Sequence, residues 1–217
     1  MPLDPPGLDS TESSPVLGLL SRGLEFWVRQ QCRAIENLEI RLEGTALQLL
    51  RGRLAAVSLR AKGVVYQELE LKEVELRGEE MRVRMGKLLR QQSLELENPF
   101  VVRGRIRFNS EGLNRSLAHP NWSWLGDQLA EELLGIRPLE VLSIRGDQLI
   151  LQACSGGADT TRVERAVALE AREGTVEVKT MDHELVCRLP MDPAIRLEWA
   201  EVGCGHLDLG GVGTIAP

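Results

Sequence analysis

From Phe100 to Leu117 the chain reads FVVRGRIRFNSEGLNRSL, and the period of its apolar residues changes once within that stretch. Up to Phe108 the period is two. Phe100, Val102, Ile106 and Phe108 share one side, while Val101, Arg103, Arg105 and Arg107 share the other. Such alternation marks a half-buried antiparallel strand, because a strand covered on both faces would be apolar throughout. After Asn109 the apolar residues return at helical steps: Leu113, Leu117, Trp124, Leu125, Leu129, Leu133 and Leu134. Pro120 falls inside that run and should end one helical piece or kink it, since proline removes a backbone donor and restricts its predecessor.

The same two patterns recur on either side. Residues 1–14, rich in Pro, Asp and Ser, have nothing to bury and predict a disordered tail. A helix is expected over residues 15–36, with Val16, Leu19, Leu20, Gly23, Phe26 and Trp27 as its stripe. Strands are expected over 37–108. Leu38, Ile40 and Leu42 alternate with charges, and so do Leu69 and Leu71. Beyond Lys72-Glu73 the apolar set moves to Val74 and Leu76, a slip of one that predicts a bulge and a bend. Met81, Val83 and Met85 then alternate with Arg82 and Arg84.

A helical region over 109–135 gives way to strands over 139–209, with turns at Gly146-Asp147 and Glu173-Gly174. Leu207 and Leu209 form one last strand in a glycine-rich tail. The order of helix, strands, helix, strands is α+β, not βαβ, and fits one domain over residues 15–217.

Composition excludes several classes. The 26 basic and 32 acidic residues give a charge of −6, which argues against nucleic acid as a partner. The charge is uneven, at +2 over residues 1–107 and −8 over 108–217. No apolar run approaches the roughly 20 residues that cross a bilayer. Four dispersed cysteines without a CxxC pair suit reduced thiols in a cytosolic setting. Cys204, His206 and Asp208 would share a strand face, but no fourth ligand is placed by spacing, so no metal is expected. Gly210-Gly-Val-Gly-Thr lacks the following helix that a phosphate-cradling loop requires. With three histidines and no nucleophile elbow, neither catalysis nor a cofactor is expected. Asn114-Arg-Ser116 and Asn121-Trp-Ser123 match the glycosylation sequon, which carries no meaning without secretion. The arginines Arg82, Arg84, Arg103, Arg105 and Arg107 form either a phosphate-binding ladder or an ordinary wet strand face.

Three stretches carry a resemblance: Leu50–Tyr66 (LRGRLAAVSLRAKGVVY), Met81–Arg90 (MRVRMGKLLR) and Val102–Leu117 with its Asn-x-Ser-Leu helix start. Together they resemble the LmeA-like phospholipid-binding family of actinobacteria and cyanobacteria, and look more like its cyanobacterial branch. The likeness covers residues 15–151; beyond Cys154 only the hairpin pattern is shared. It implies a tubular lipid-binding architecture, a long curved antiparallel sheet wrapped around one or two helices and enclosing an apolar groove. Acyl chains would then lie between Leu69, Leu71, Phe100, Val102, Ile106 and Phe108 of the sheet and Leu117, Leu125, Leu129 and Leu133 of the helices. Arg82, Arg84, Arg103 or Arg105 would meet an anionic head group. The expected partner is a membrane lipid, met at a transient membrane surface by a non-catalytic, cytoplasmic protein. The rival reading is a protein-interaction scaffold whose own side chains fill the groove.

Overall fold

The computed structural model describes residues 15–84, 86–87, 95–154 and 161–216, so the expected tail over 1–14 and Met85 lie outside the described residues. Strands β1 (Ala34–Glu43), β2 (Arg53–Tyr66), β3 (Leu69–Arg82) and β4 (Phe100–Asn109) pair antiparallel in sequence order. Strands β5 (Leu139–Arg145), β6 (Gln148–Cys154), β7 (Arg162–Arg172), β8 (Thr175–Thr180) and β9 (Val186–Arg188) form a second antiparallel sheet, also in order. The chain then returns. Strands β10 (Ile195–Gly203) and β11 (His206–Ile215) join the first sheet through β11 and β4, giving the order β1-β2-β3-β4-β11-β10. The expected α+β class holds, with the antiparallel strands divided between sheets of six and five.

The predicted phase slip is a crease across three strands without the expected bulge, because the pairing register is the same on both sides of it. Pairing passes from Ile35↔Val64 to Asn37↔Lys62 and from Val64↔Leu71 to Lys62↔Glu73, so Glu36, Gly63 and Lys72 are skipped together. On one side of this line Val64 and Leu71 are buried; on the other Ala61 and Val74 are. Gly63 takes φ +57, and a Cβ there would overlap the side chain of Glu36. Only glycine fits both demands without strain.

Helix α1 (Pro15–Gln31) is shorter than expected, because the β pattern resumes at Ala34. It buries Leu20 and Leu24, whereas Phe26 is 57% exposed. At 3.6 residues per turn Phe26 stands about 200° round from Leu24, so the stripe read from sequence was turned too far. The side chains of Val16 and Leu19 lie outside the described residues. A short helix α2 (Ala46–Leu50), absent from the sequence expectation, links β1 to β2.

Pro120 does end a helix: α3 (Ser110–Ala118) and α4 (Ser123–Leu134) flank it. Asn109 caps α3 by accepting from Gly112 N at 2.9 Å. Trp122 Nε1 donates to Gln67 O at 2.8 Å, pinning the inter-helix turn to the β2–β3 hairpin.

The sequon residues have a different use. Ser116, 1% exposed, accepts from Glu70 N of β3 at 2.8 Å through its Oγ. Asn114 Nδ2 donates to Leu142 O of β5 at 2.7 Å, while its Oδ1 accepts from Leu142 N at 2.8 Å. Helix α3 is thus hydrogen-bonded to one strand of each sheet. At the far edge β10 makes a second junction, where Leu197 N donates to Gly174 O at 2.9 Å.

The buried side chains form two clusters. The larger gathers Ala61, Val64, Leu71, Val74 and Phe108 from the first sheet, Leu113, Leu129 and Leu133 from α3 and α4, and Leu149, Leu151, Val167 and Val178 from the second sheet. The smaller holds Leu20 and Leu24 of α1 against Leu54, Val57, Met81, Val83, Phe100 and Val102.

Candidate functional site

The register of the six-stranded sheet sorts its residues into two faces. On one, the rows run Leu38–Ala61–Val74–Ile106–Leu209–Ala200, Ile40–Leu59–Leu76–Gly104–Gly211–Leu197 and Leu42–Val57–Gly78–Val102–Gly213–Ile195. This apolar face is covered at one end by the second sheet with α3 and α4, and at the other by α1. Between them lies a strip in which Ile40, Leu42, Leu59 and Leu76 are only half-buried. Leu76 packs against both clusters, so it marks the divide. Beside it Gly104 and Gly211 leave the sheet without side chains, and in strands such glycines mark places of close approach. Over Gly104 the neighbour is Leu76; over Gly211 it is the backbone of Arg196 and Leu197, where β10 bulges inward.

The opposite face is a quilt of charges. Its rows include Glu39–Arg60–Glu75–Arg105–Gly210–Trp199 and Arg41–Ser58–Arg77–Arg103–Val212–Arg196. An open cleft of about 460 Å³ lies over these two rows and is also lined by Leu59, Leu76 and Gly104 of the row between them, with the Trp199 indole laid across Gly210 at one end. Arg60 pairs with Glu75, Arg77 with Glu43 at 2.8 Å, and Arg103 with Glu198 at 2.6 Å. Arg105 and Arg107 both hold Asp208, at 2.6 and 2.8 Å. Burial pushes the Asp208 carboxyl up, but the hydrogen bonds from Arg107 and Arg105 outweigh it and leave the group below its ordinary value. Most of the guanidinium charge on this face is therefore already matched by carboxylates. That is the ordinary wet-face reading of the arginine ladder, with the arginines holding the strands together.

The residues expected at the groove fall in different places. Leu71, Phe108, Leu129 and Leu133 are buried in the larger cluster, at 7%, 5%, 5% and 0% exposure. Phe100 and Val102 are buried under α1 in the smaller one. Leu69, Ile106 and Leu117 are half-buried at the margin of the larger cluster, and Leu125 is half-buried on α4. The sheet residues nearest the strip that sequence reading did not single out for the groove are Ile40, Leu42, Leu59 and Leu76. Their alternation was visible, but not which part of it two separate covers would leave open.

Among the four arginines expected at a head group, Arg103 and Arg105 stand on the charged face, across the sheet from Val102 and Ile106. Arg84 is paired with Glu95 at 3.4 Å. Arg82 closes β3 opposite Arg53, exposed and without a carboxylate partner among the described residues. Cys204 sits in the β10–β11 turn at φ +51, off the strand, and Asp208 is engaged by two arginines, so the three candidate metal ligands do not share a face as expected. The glycine-rich tail, expected to carry one last strand through Leu207 and Leu209, is strand β11.

Compared with known protein families, the chain matches the LmeA-like phospholipid-binding family over residues 11–198. The chain belongs to that family. The match runs well past Cys154, further than the resemblance read from sequence, and takes in the second sheet. Among curated proteins and among solved structures, no match to the chain was found. No helix among the described residues is long and apolar enough to cross a membrane.

Proposed function

We propose that this member of the LmeA-like family holds the acyl chains of a phospholipid or another membrane lipid against the apolar face of its six-stranded sheet, without bond-making, in lipid transport or membrane maintenance. The observation that carries this reading is the half-buried strip of Ile40, Leu42, Leu59 and Leu76 between two separately covered cores. An acyl chain laid there would gain about 0.8 kcal/mol for each methylene taken out of water. Leu69, Ile106 and Leu117 would flank it on the side of α3, and the buried Leu71, Phe108, Leu129 and Leu133 would form the wall behind. Phe100 and Val102 would close the other end, and Leu125 would extend the α4 side. Arg82 has no carboxylate partner among the described residues and would reach a phosphate round the end of β3, since it alternates with the buried Met81 and Val83; Arg103 and Arg105 are separated from the strip by the sheet itself.

The family's phospholipid-binding character supports the lipid class and a non-enzymatic role. One observation favours the rival scaffold reading: Leu129 and Leu133 are already packed, at 5% and 0% exposure. A fluorescent polyene fatty acid separates the two. Saturable enhancement that phospholipid competes away, and that Leu76→Asp abolishes, supports the lipid site; no enhancement with folded wild-type protein supports the packed scaffold.

A further inference from the structure

The connection between β1 and β2 carries features that folding alone does not require. Thr45-Ala-Leu-Gln48 is a capping box: Thr45 N donates to Gln48 Oε1 at 2.9 Å, and Thr45 Oγ1 accepts from Gln48 N at 3.3 Å. The short helix α2 that it starts presents Leu47 and Leu50, one turn apart, at 58% and 56% exposure. Arg51 and Arg53 follow directly, and Arg82 stands opposite Arg53 on the neighbouring strand. All three are exposed and have no carboxylate partner among the described residues, whereas Arg60, Arg77, Arg103, Arg105 and Arg107 are all paired. Glu95 at this end is taken by Arg84 and Lys87. Glu43 and Glu79 are held by Arg77, which leaves Glu80 and Glu97 beside the three unpaired arginines in a chain of net charge −6.

We infer that this tip is a membrane-docking surface and that its occupant is an anionic lipid bilayer. Exposed leucines beside unpaired cations are what an interfacial segment uses, the apolar groups entering the boundary of the acyl region and the cations meeting lipid phosphates. An acidic protein surface would satisfy the guanidinium groups but would leave both leucines without a role. The inference rests on the lipid-binding reading, since a lipid carrier has to meet a bilayer to load and unload.

The test is flotation of the full chain with vesicles of phosphatidylcholine alone and of phosphatidylcholine mixed with phosphatidylglycerol, at low and high salt. Wild type should float with the mixed vesicles and less at high salt. Leu47→Asp with Leu50→Asp should weaken flotation at least about tenfold. Arg51→Gln with Arg53→Gln should weaken it similarly, and Met181→Asp in the turn after β8 should not. Wild type that ignores the mixed vesicles, or tip variants that float like wild type, would overturn the inference. So would equal capture by polyglutamate beads regardless of the leucines, which would mark an acidic protein as the occupant. Lipid retained by the variants, read by native mass spectrometry, reports on the strip separately. Lost flotation with unchanged lipid content supports docking, and unchanged flotation with bound lipid rejects docking while sparing the lipid site.

Discussion

Leu76 of β3 lies across Gly104 of β4, so close that a Cβ at Gly104 would stand 2.5 Å from Leu76 Cδ2. The missing side chain on one strand is the space that the leucine of the next one uses, at the boundary between the two cores. Gly104→Ala should therefore turn Leu76 into the strip. Because the atom that must give is the far end of a half-exposed side chain, stability should fall by only about 1 kcal/mol. Lipid binding should fall much further. Urea unfolding beside polyene-fatty-acid titration checks the split, and equal losses in both would contradict it.

Asn114 holds the second sheet to α3 by two hydrogen bonds to the backbone of Leu142. Asn114→Ala leaves both groups of a buried strand residue without a partner and should cost about 2 kcal/mol. Ser116→Ala, which frees Glu70 N on the other sheet, should cost about 1 kcal/mol. Chemical denaturation of each variant gives the figures.

Both residues were in view in the sequence, but as sequons or as polar interruptions of an apolar helix. Their partners lie 28 and 46 residues away, and no local pattern encodes a contact at that separation. The alternation from Phe100 to Phe108 was legible because each side chain reports its face directly, and the crease was legible because a phase slip survives in the order of residues. Strand β11 was harder. Three of its ten residues are glycines, and Gly210 and Gly211 yield their space to Trp199 and to the β10 backbone. The division of one apolar face into two cores was not legible at all, because Val74 and Val102 sit on the same face and differ only in which helix or sheet covers them.

Asp208 ties β11 to β4 through Arg105 and Arg107, with its folded-state carboxyl held below the ordinary value. A group shifted in that direction contributes stability that is present above its unfolded pKa and lost as pH falls through the folded one. Asp208→Asn should thus destabilise the protein by about 2 kcal/mol near neutral pH. The gap between variant and wild type should begin to narrow as pH falls below about 4 and vanish only below the lowered folded value. Urea midpoints of both proteins in steps from pH 7 down to about pH 2 measure the difference. A gap that persists in acid would mean that the charge pairing is not its source.

Among the cysteines, Cys187 is fully buried, and burial together with Glu132 pushes its thiol up to about 12. Cys204 is exposed in the β10–β11 turn. An aromatic disulfide reagent at mildly alkaline pH should label Cys204 first and Cys187 only after unfolding, since reaction requires an accessible thiolate. Peptide mapping of the labelled protein reads the order. Labelling of Cys187 at the rate of Cys204 would show that the second sheet opens in the native state.

Whether the strip beside Leu76 holds lipid is read by native mass spectrometry of the protein purified without detergent. A membrane lipid should be bound at close to one per chain, identified by solvent extraction and lost in Leu76→Asp. Folded wild-type protein that carries no lipid, and takes up none from mixed anionic vesicles, would contradict it.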